Sequence, residues 1–211
     1  MVKPIAEERE RIDGYRFAIG GAEFFNNRKY RPDLEWLILS YLTTALSAAG
    51  WECPAYAEKL EPPEPDFQTY LARGVLYRQV EVTEVLRPGY QRGNFHRQVA
   101  RSGERIHNIP NPHPQPWLSF HHVLHSKLAK SYSDGSWLVI YHDMPDSEFP
   151  DYIPWHDRML SRLRGWTSDS ASTCDITKSK YDSIFVVDAS GIGTVRLHPH
   201  WDIIRESPFL T

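Results

Sequence analysis

The sequence predicts an α/β fold in which a mixed central sheet is flanked by helices. Three patterns carry that expectation. Residues 33–49 repeat apolar side chains at helical spacing, and residues 67–86 alternate in two runs separated by Arg73-Gly74. Two further runs, Trp137-Leu138-Val139-Ile140-Tyr141 and Ile184-Phe185-Val186-Val187, are continuously apolar, which suits strands buried on both faces. A chain of 211 residues that is 41% hydrophobic is long enough for one domain with a sizeable core. The expected layout is an N-terminal extension over 1–31, a core over about 32–188 and an edge hairpin over 181–198.

In chain order, residues 1–31 read as polar and mixed, with a short helix beginning near Ala22-Glu23-Phe24-Phe25. The first strong helix spans 33–49, started by Pro32 or Asp33 and stopped by Gly50. At about 100° per residue, Leu34, Ile38, Tyr41, Leu42, Ala45 and Ala49 share one face, and Glu35 falls on the side shared with Leu42 and Leu46. A carboxylate on a buried stripe is costly unless it is paired. Glu35 is either a first-turn acid favoured by the helix dipole and reached by water, or an acid facing a metal or an attacking water. A strand over 51–59 ends at Glu61-Pro62-Pro63-Glu64-Pro65. The hairpin follows, with Glu81 and Thr83 on one face of its second strand and Val80 and Val82 on the other.

Residues 90–116 are basic, with Arg92, Arg97, Arg101 and Arg105, and suggest an ordered loop holding a short helix near 95–101. The run is either a solvated surface or a lip for phosphate contacts. A helix over 116–132 carries Trp117, Phe120, His121, Leu124 and Leu128 on its apolar stripe. Another spans 154–164, before the strand over 181–188, a turn over 189–193 and an edge strand over 194–198.

Composition narrows the setting. The net charge of -3 gives no global pull toward nucleic acid, so such a partner needs a local basic groove. Cys53 and Cys174 make no disulfide framework and read as reduced thiols. The charged opening lacks the apolar run of a signal peptide, and no stretch has the length and apolarity of a membrane span. The expected location is soluble and cytoplasmic.

The chemistry centres on the hairpin. Asp66 opens its first strand and Glu81 lies within its second, so an antiparallel pairing brings the two carboxylates together. Oxygen donors so held suit Mg²⁺ or Mn²⁺; paired acids across a hairpin are also a common solvated surface. His121 and His125, four apart, share a helix face as zinc ligands do. No Glu follows His121 in the zincin pattern, and core or groove-lining histidines are the favoured reading. Gly191-Ile192-Gly193 precedes a strand, not a helix, and is no dinucleotide fingerprint.

Pro65-Asp66, a strand, then Glu81-Val82-Thr83 behind a helix carrying Glu35 resembles the core of the PD-(D/E)XK nuclease superfamily. That group has a restriction-endonuclease-like αβββαβ core. The resemblance covers about residues 33–141 and, more loosely, the strands to 188. It implies metal-dependent hydrolysis of nucleic-acid phosphodiesters with Mg²⁺ or Mn²⁺. Asp66 and Glu81 would be metal ligands, and Glu35 matches the helix carboxylate that some members use as an added ligand. Thr83 stands where the family pattern has Lys, and Thr cannot supply that positive charge. In some members the Lys has moved to the next helix. There Lys127 lies at the edge of the apolar stripe, whereas Lys130 points away by extrapolated helical rotation. Lys127 thus completes a catalytic set with Asp66, Glu81 and Glu35, unless it is a snorkelling surface lysine; Arg97 or Arg101 could serve instead. Arg92, Arg97 and Arg101 are the expected nucleic-acid contacts. The expected partners are DNA or RNA, with a homodimer as the candidate assembly and no membrane. The alternative is a catalytically inactive nuclease-fold protein that binds nucleic acid or a protein partner.

Overall fold

The computed structural model describes residues 1–20, 23–24, 27–85, 116–130, 134–142, 179–188, 194–199 and 202–205, and the statements below concern these. The chain is α/β. Its strands are β1 (Lys3–Pro4), β2 (Tyr56–Lys59), β3 (Phe67–Ala72), β4 (Val75–Val85), β5 (Ser136–His142), β6 (Tyr181–Asp188), β7 (Thr194–His198) and β8 (Asp202–Arg205). Its helices are α1 (Ile5–Ile19), α2 (Arg31–Ala48) and α3 (Pro116–Leu128). The eight strands form one sheet whose spatial order is the chain order, β1 through β8. Pairing is parallel at β4–β5 and β5–β6 and antiparallel elsewhere. The mixed sheet follows from the connections: a two-residue turn closes the β3–β4 hairpin, with Gly74 at φ +87°, whereas a parallel pair needs a long crossover.

The pleat sorts side chains onto two faces. Val80, Val82, Trp137, Val139, Tyr141, Phe185 and Val187 pack with α2. Val85, Leu138, Ile140, Ile184 and Val186 pack with Phe120 and Leu124 of α3. Those last two are one helical turn apart, so a single stripe of α3 meets the sheet.

α2 has Pro32 at its first turn. It ends in a Schellman arrangement: Trp51 N–H donates to the Leu46 carbonyl (2.9 Å) and Gly50 N–H to that of Ser47 (3.0 Å). Gly50 takes the left-handed position, φ +74°, where a β-carbon would be strained. The sequence suggests one buried stripe for this helix. Instead, Leu34 through Thr43, Ala45 and Leu46 are all buried. The cause is α1, which covers the side of α2 turned away from the sheet; a helix apolar all round is one enclosed on several sides.

α1 and β1 correct the reading of residues 1–31 as an extension. β1 is the first strand of the sheet and α1 is a 15-residue helix. Ile5, Glu8 and Ile12 are buried, and Tyr15 and Ile19 pack against the same core. Glu8 tolerates this because Lys3 (2.9 Å) and Arg11 (3.0 Å) donate to its two oxygens. Burial alone would raise its pKa, but those two bonds and charges hold it below the usual carboxylate range. Arg11 also reaches Asp33 (2.6 Å), Arg9 reaches Thr44 (3.1 Å) and Arg16 donates to the Tyr41 hydroxyl (2.9 Å), so α1 is strapped along α2.

Other boundaries differ. β2 starts at Tyr56 rather than 51, α3 ends at Leu128 rather than 132, and β8 adds a strand beyond the expected edge hairpin. The expected helices over 95–101 and 154–164, the turn over 189–193, Arg92, Arg97, Arg101, Arg105 and Cys174 lie outside the described residues. Cys53 is a free, half-buried thiol. Among the described residues no helix is long and apolar enough to cross a membrane.

Candidate functional site

The site arises where β3 stops and β4 continues. The β3–β4 register ends at Phe67 opposite Val80, while β4 runs on to Val85. The edge of β4 beyond Val80 therefore needs another acceptor for its backbone N–H groups. Asp66, immediately before β3, provides one: its Oδ2 accepts the Val82 N–H at 2.8 Å. The Leu60 N–H donates to the Asp66 carbonyl at 2.9 Å and closes the proline-rich loop from β2. A further device secures the hairpin. Thr69, fully buried, donates its hydroxyl to the Arg78 carbonyl (2.7 Å) and accepts the Arg78 N–H (3.2 Å). The side chain thus pairs with the neighbouring strand where the register shifts.

Two more carboxylates flank Asp66, one from each side of the sheet. Glu81, 4% exposed, alternates with Val80 and Val82 and so belongs to the α3 side. There its Oε1 is paired with the Lys127 ammonium, and Lys130 Nζ lies 3.4 Å from the same oxygen. Lys127 falls three residues after the buried Leu124, one helical turn along the face of α3 that meets the sheet. Lys130 contradicts the expectation that it points away. The helix has ended by then, and the Lys130 N–H bonds to the carbonyl of Lys127, three residues back, at 3.1 Å. That tighter closure swings Lys130 toward Glu81, which helical extrapolation cannot foresee.

Glu35, 5% exposed, comes from the first turns of α2. Arg31 Nε donates to its Oε1 at 3.1 Å, and the Lys59 ammonium pairs with its Oε2. Lys59 closes β2 opposite Phe67, with its Nζ 5.0 Å from the centre of the Phe67 ring. That ring in turn meets Trp36 of α2 edge-on at 4.9 Å. Aromatic packing between α2 and β3 thereby carries Glu35 to the Asp66 end of the hairpin.

The electrostatics mark the convergence. The Asp66 carboxyl is pushed up to about 6, by burial first and then by the negative charges of Glu35 and Glu81; the Val82 N–H and Lys59 oppose the rise. Among the described residues Asp66 has no ion pair, whereas each flanking acid has two cations. Three acids and four bases (Arg31, Lys59, Lys127 and Lys130) therefore meet around one gap in the sheet. Thr83 is buried on the Glu81 side and contributes a hydroxyl rather than a charge.

The donor chemistry suits a hard divalent cation, because every acid here offers carboxylate oxygen. Burial is the first cause of the rise in Asp66, and the repulsion from Glu35 and Glu81 that adds to it is what a cation would relieve. Among the described residues no group of three or more His, Cys, Asp or Glu is disposed to hold a metal ion. His121 and His125 stack, their rings 6.3 Å apart.

Sequence reading missed Lys59, Arg31 and the second contact from Lys130. Arg31 and Glu35 are an i, i+4 pair, a signal readable on any helix. Lys59 becomes visible only once β2 is paired with β3 across the proline-rich loop. No protein-family model, no curated protein and no solved structure matches this chain.

Proposed function

We propose that the protein is a metal-dependent nuclease of the restriction-endonuclease-like kind, hydrolysing phosphodiesters of DNA or RNA. The observation that carries the reading is the meeting of Glu35, Asp66 and Glu81 where β3 gives way to β4, with Asp66 pushed up to about 6 between them and Lys127 on Glu81. The run of elements from α2 through β2, β3, β4 and α3 to β5 supports it, since it is the order that an αβββαβ core requires.

In this reading Asp66 and Glu81 hold Mg²⁺ or Mn²⁺, which when bound supplies activation of water and neutralisation of charge on the phosphate. Asp66 is oriented by the Val82 N–H, so its position follows the end of β3. Glu35 acts through Lys59 and through its field on Asp66. Lys127 supplies the positive charge that Thr83 lacks, and it does so on the same side of the sheet as Thr83. Arg92, Arg97 and Arg101 are proposed to contact the nucleic-acid backbone.

Cleavage of plasmid DNA and of single-stranded RNA with Mn²⁺ tests this reading. The parent should cut at least one of them, and Asp66→Ala and Glu81→Ala should lose about a hundredfold or more of the rate. Equal cleavage by parent and variants sinks the proposal. A second reading, an inactive nuclease-fold protein that binds nucleic acid or a protein partner, is favoured by Thr83. Binding of nucleic acid without cleavage under every divalent metal would select it.

A further inference from the structure

One oxygen of Glu81 receives two ammonium groups, Lys127 and Lys130. Coordination of a small divalent cation needs carboxylate oxygen at about 2.1 Å. A third positive centre cannot join two ammonium groups on one carboxylate without strong repulsion. The lysines also differ in their access to water. The Lys130 side chain is 45% exposed, and that of Lys127 only 16%. Lys130 can return to solvent at little cost, whereas Lys127, largely withdrawn from water, needs another anion if it gives up Glu81. Asp66, by contrast, engages only Oδ2 through its side chain among the described residues.

We infer that Lys127 is a resident cation of the Glu81 carboxylate, which it must leave before Asp66 and Glu81 take a divalent metal, and that the ammonium so released is what receives an anionic phosphate oxygen of the substrate. The inference rests on the metal-dependent reading and adds an order to it. Lys127 neutralises Glu81 while the pair is free of metal. Its departure couples metal uptake to the appearance of a cation for the phosphate. The α3 face then has one lysine in two roles, which fits a site whose strand offers Thr83 instead of a charge.

Calorimetric titration of the folded, full-length protein with Mn²⁺ alone tests the order without any measurement of cleavage. Lys127→Met keeps the length of the side chain and removes the competitor, so it should bind Mn²⁺ about tenfold more tightly than the parent. Lys127→Arg, which keeps the charge, and Lys130→Met, which removes only the looser contact, should each stay within about threefold of the parent. Lys127→Gln is the second neutral variant if Lys127→Met does not fold. If the parent binds Mn²⁺ and both neutral variants bind it equally or less well, the coupling is wrong while the metal reading survives. If the parent shows no binding but a neutral variant does, the competition is supported. If none binds Mn²⁺, the coupling and the metal reading fall together.

Discussion

Glu35 and Glu81 are two buried acids on opposite sides of one sheet, and they are neutralised differently. Glu35 draws one cation from its own helix, four residues back, and one from β2. Both partners keep substantial access to water, the Arg31 side chain at 58% and that of Lys59 at 32%. Glu81 draws both cations from α3 and the turn behind it, and the nearer one is largely buried. The Glu35 pairings therefore resemble the outer edge of a salt-bridge network, while Glu81–Lys127 is closer to an internal ion pair. Removing one partner of an internal pair strands a charge; removing one at the rim returns a side chain to solvent. Asp66 lies between the two with a backbone N–H as its side-chain partner, and burial together with their negative charge raises its proton affinity.

The largest expected consequence concerns Glu81. Its replacement by Ala should cost about 3 kcal/mol of unfolding free energy, because Lys127 loses its anion within a mostly buried site. Urea denaturation measures it, and a parent-like midpoint would remove Glu81–Lys127 as a structural pair. Glu35→Ala should cost less, about 1–2 kcal/mol, since Arg31 and Lys59 relax into water. A reversal of that order would overturn the distinction between the two sides.

Next comes pH. The Asp66 pKa is near 6 in the folded chain, above the roughly 3.9 of an unfolded Asp. The folded state therefore binds this proton more tightly. Its contribution to stability is complete below about pH 4 and is lost as pH rises through about 6. The stability of the parent relative to Asp66→Asn should accordingly fall across that interval. A difference that stays flat, or rises, would show that burial and the neighbouring acids do not raise Asp66. The smallest effect belongs to Lys130→Met, expected within about 0.5 kcal/mol of the parent because the contact is long and half-exposed. A larger loss would make the two lysines on Glu81 equal partners.

Much of this arrangement can be read from residue patterns alone. The helix before Gly50, the hairpin around Arg73-Gly74 and the buried runs near Val139 and Phe185 are legible because period and punctuation agree. α1 is less so. Its stripe of Ile5, Ile12, Tyr15 and Ile19 has helical spacing, but Glu8 falls within the stripe and Gly14, a poor helix former, sits inside the helix. A buried Glu8 is acceptable because two cations meet it, Arg11 from the next turn of the same helix and Lys3 from β1, and the Lys3 contact depends on how β1 and α1 pack. The burial of α2 on all sides is hidden for the same reason, since it depends on α1. In the site, spacing suggests the three acids, and the family resemblance directs attention to Lys127. Lys59 depends on a pairing across a proline-rich loop, and Lys130 on how a helix frays. Local periodicity reports neither.

The agreement between spatial and chain order in the sheet bears on how the molecule is assembled. None of the described strands has to be threaded between two that are already paired, so this sheet can grow outward from any nucleus by edge addition. Antiparallel neighbours joined by short connections, β3 with β4 above all, have little loop-closure entropy to overcome and suit early formation. The parallel β4–β5 contact closes a far longer segment that includes α3. Lys127 reaches Glu81 only once α3 folds back onto β4, across the long segment between them, whereas Asp66 meets Val82 as soon as the hairpin exists. The two halves of the acid–base cluster would then mature at different times: the carboxylates on β4 and before β3 come together with the hairpin, and the cation that neutralises Glu81 arrives with the longer closure.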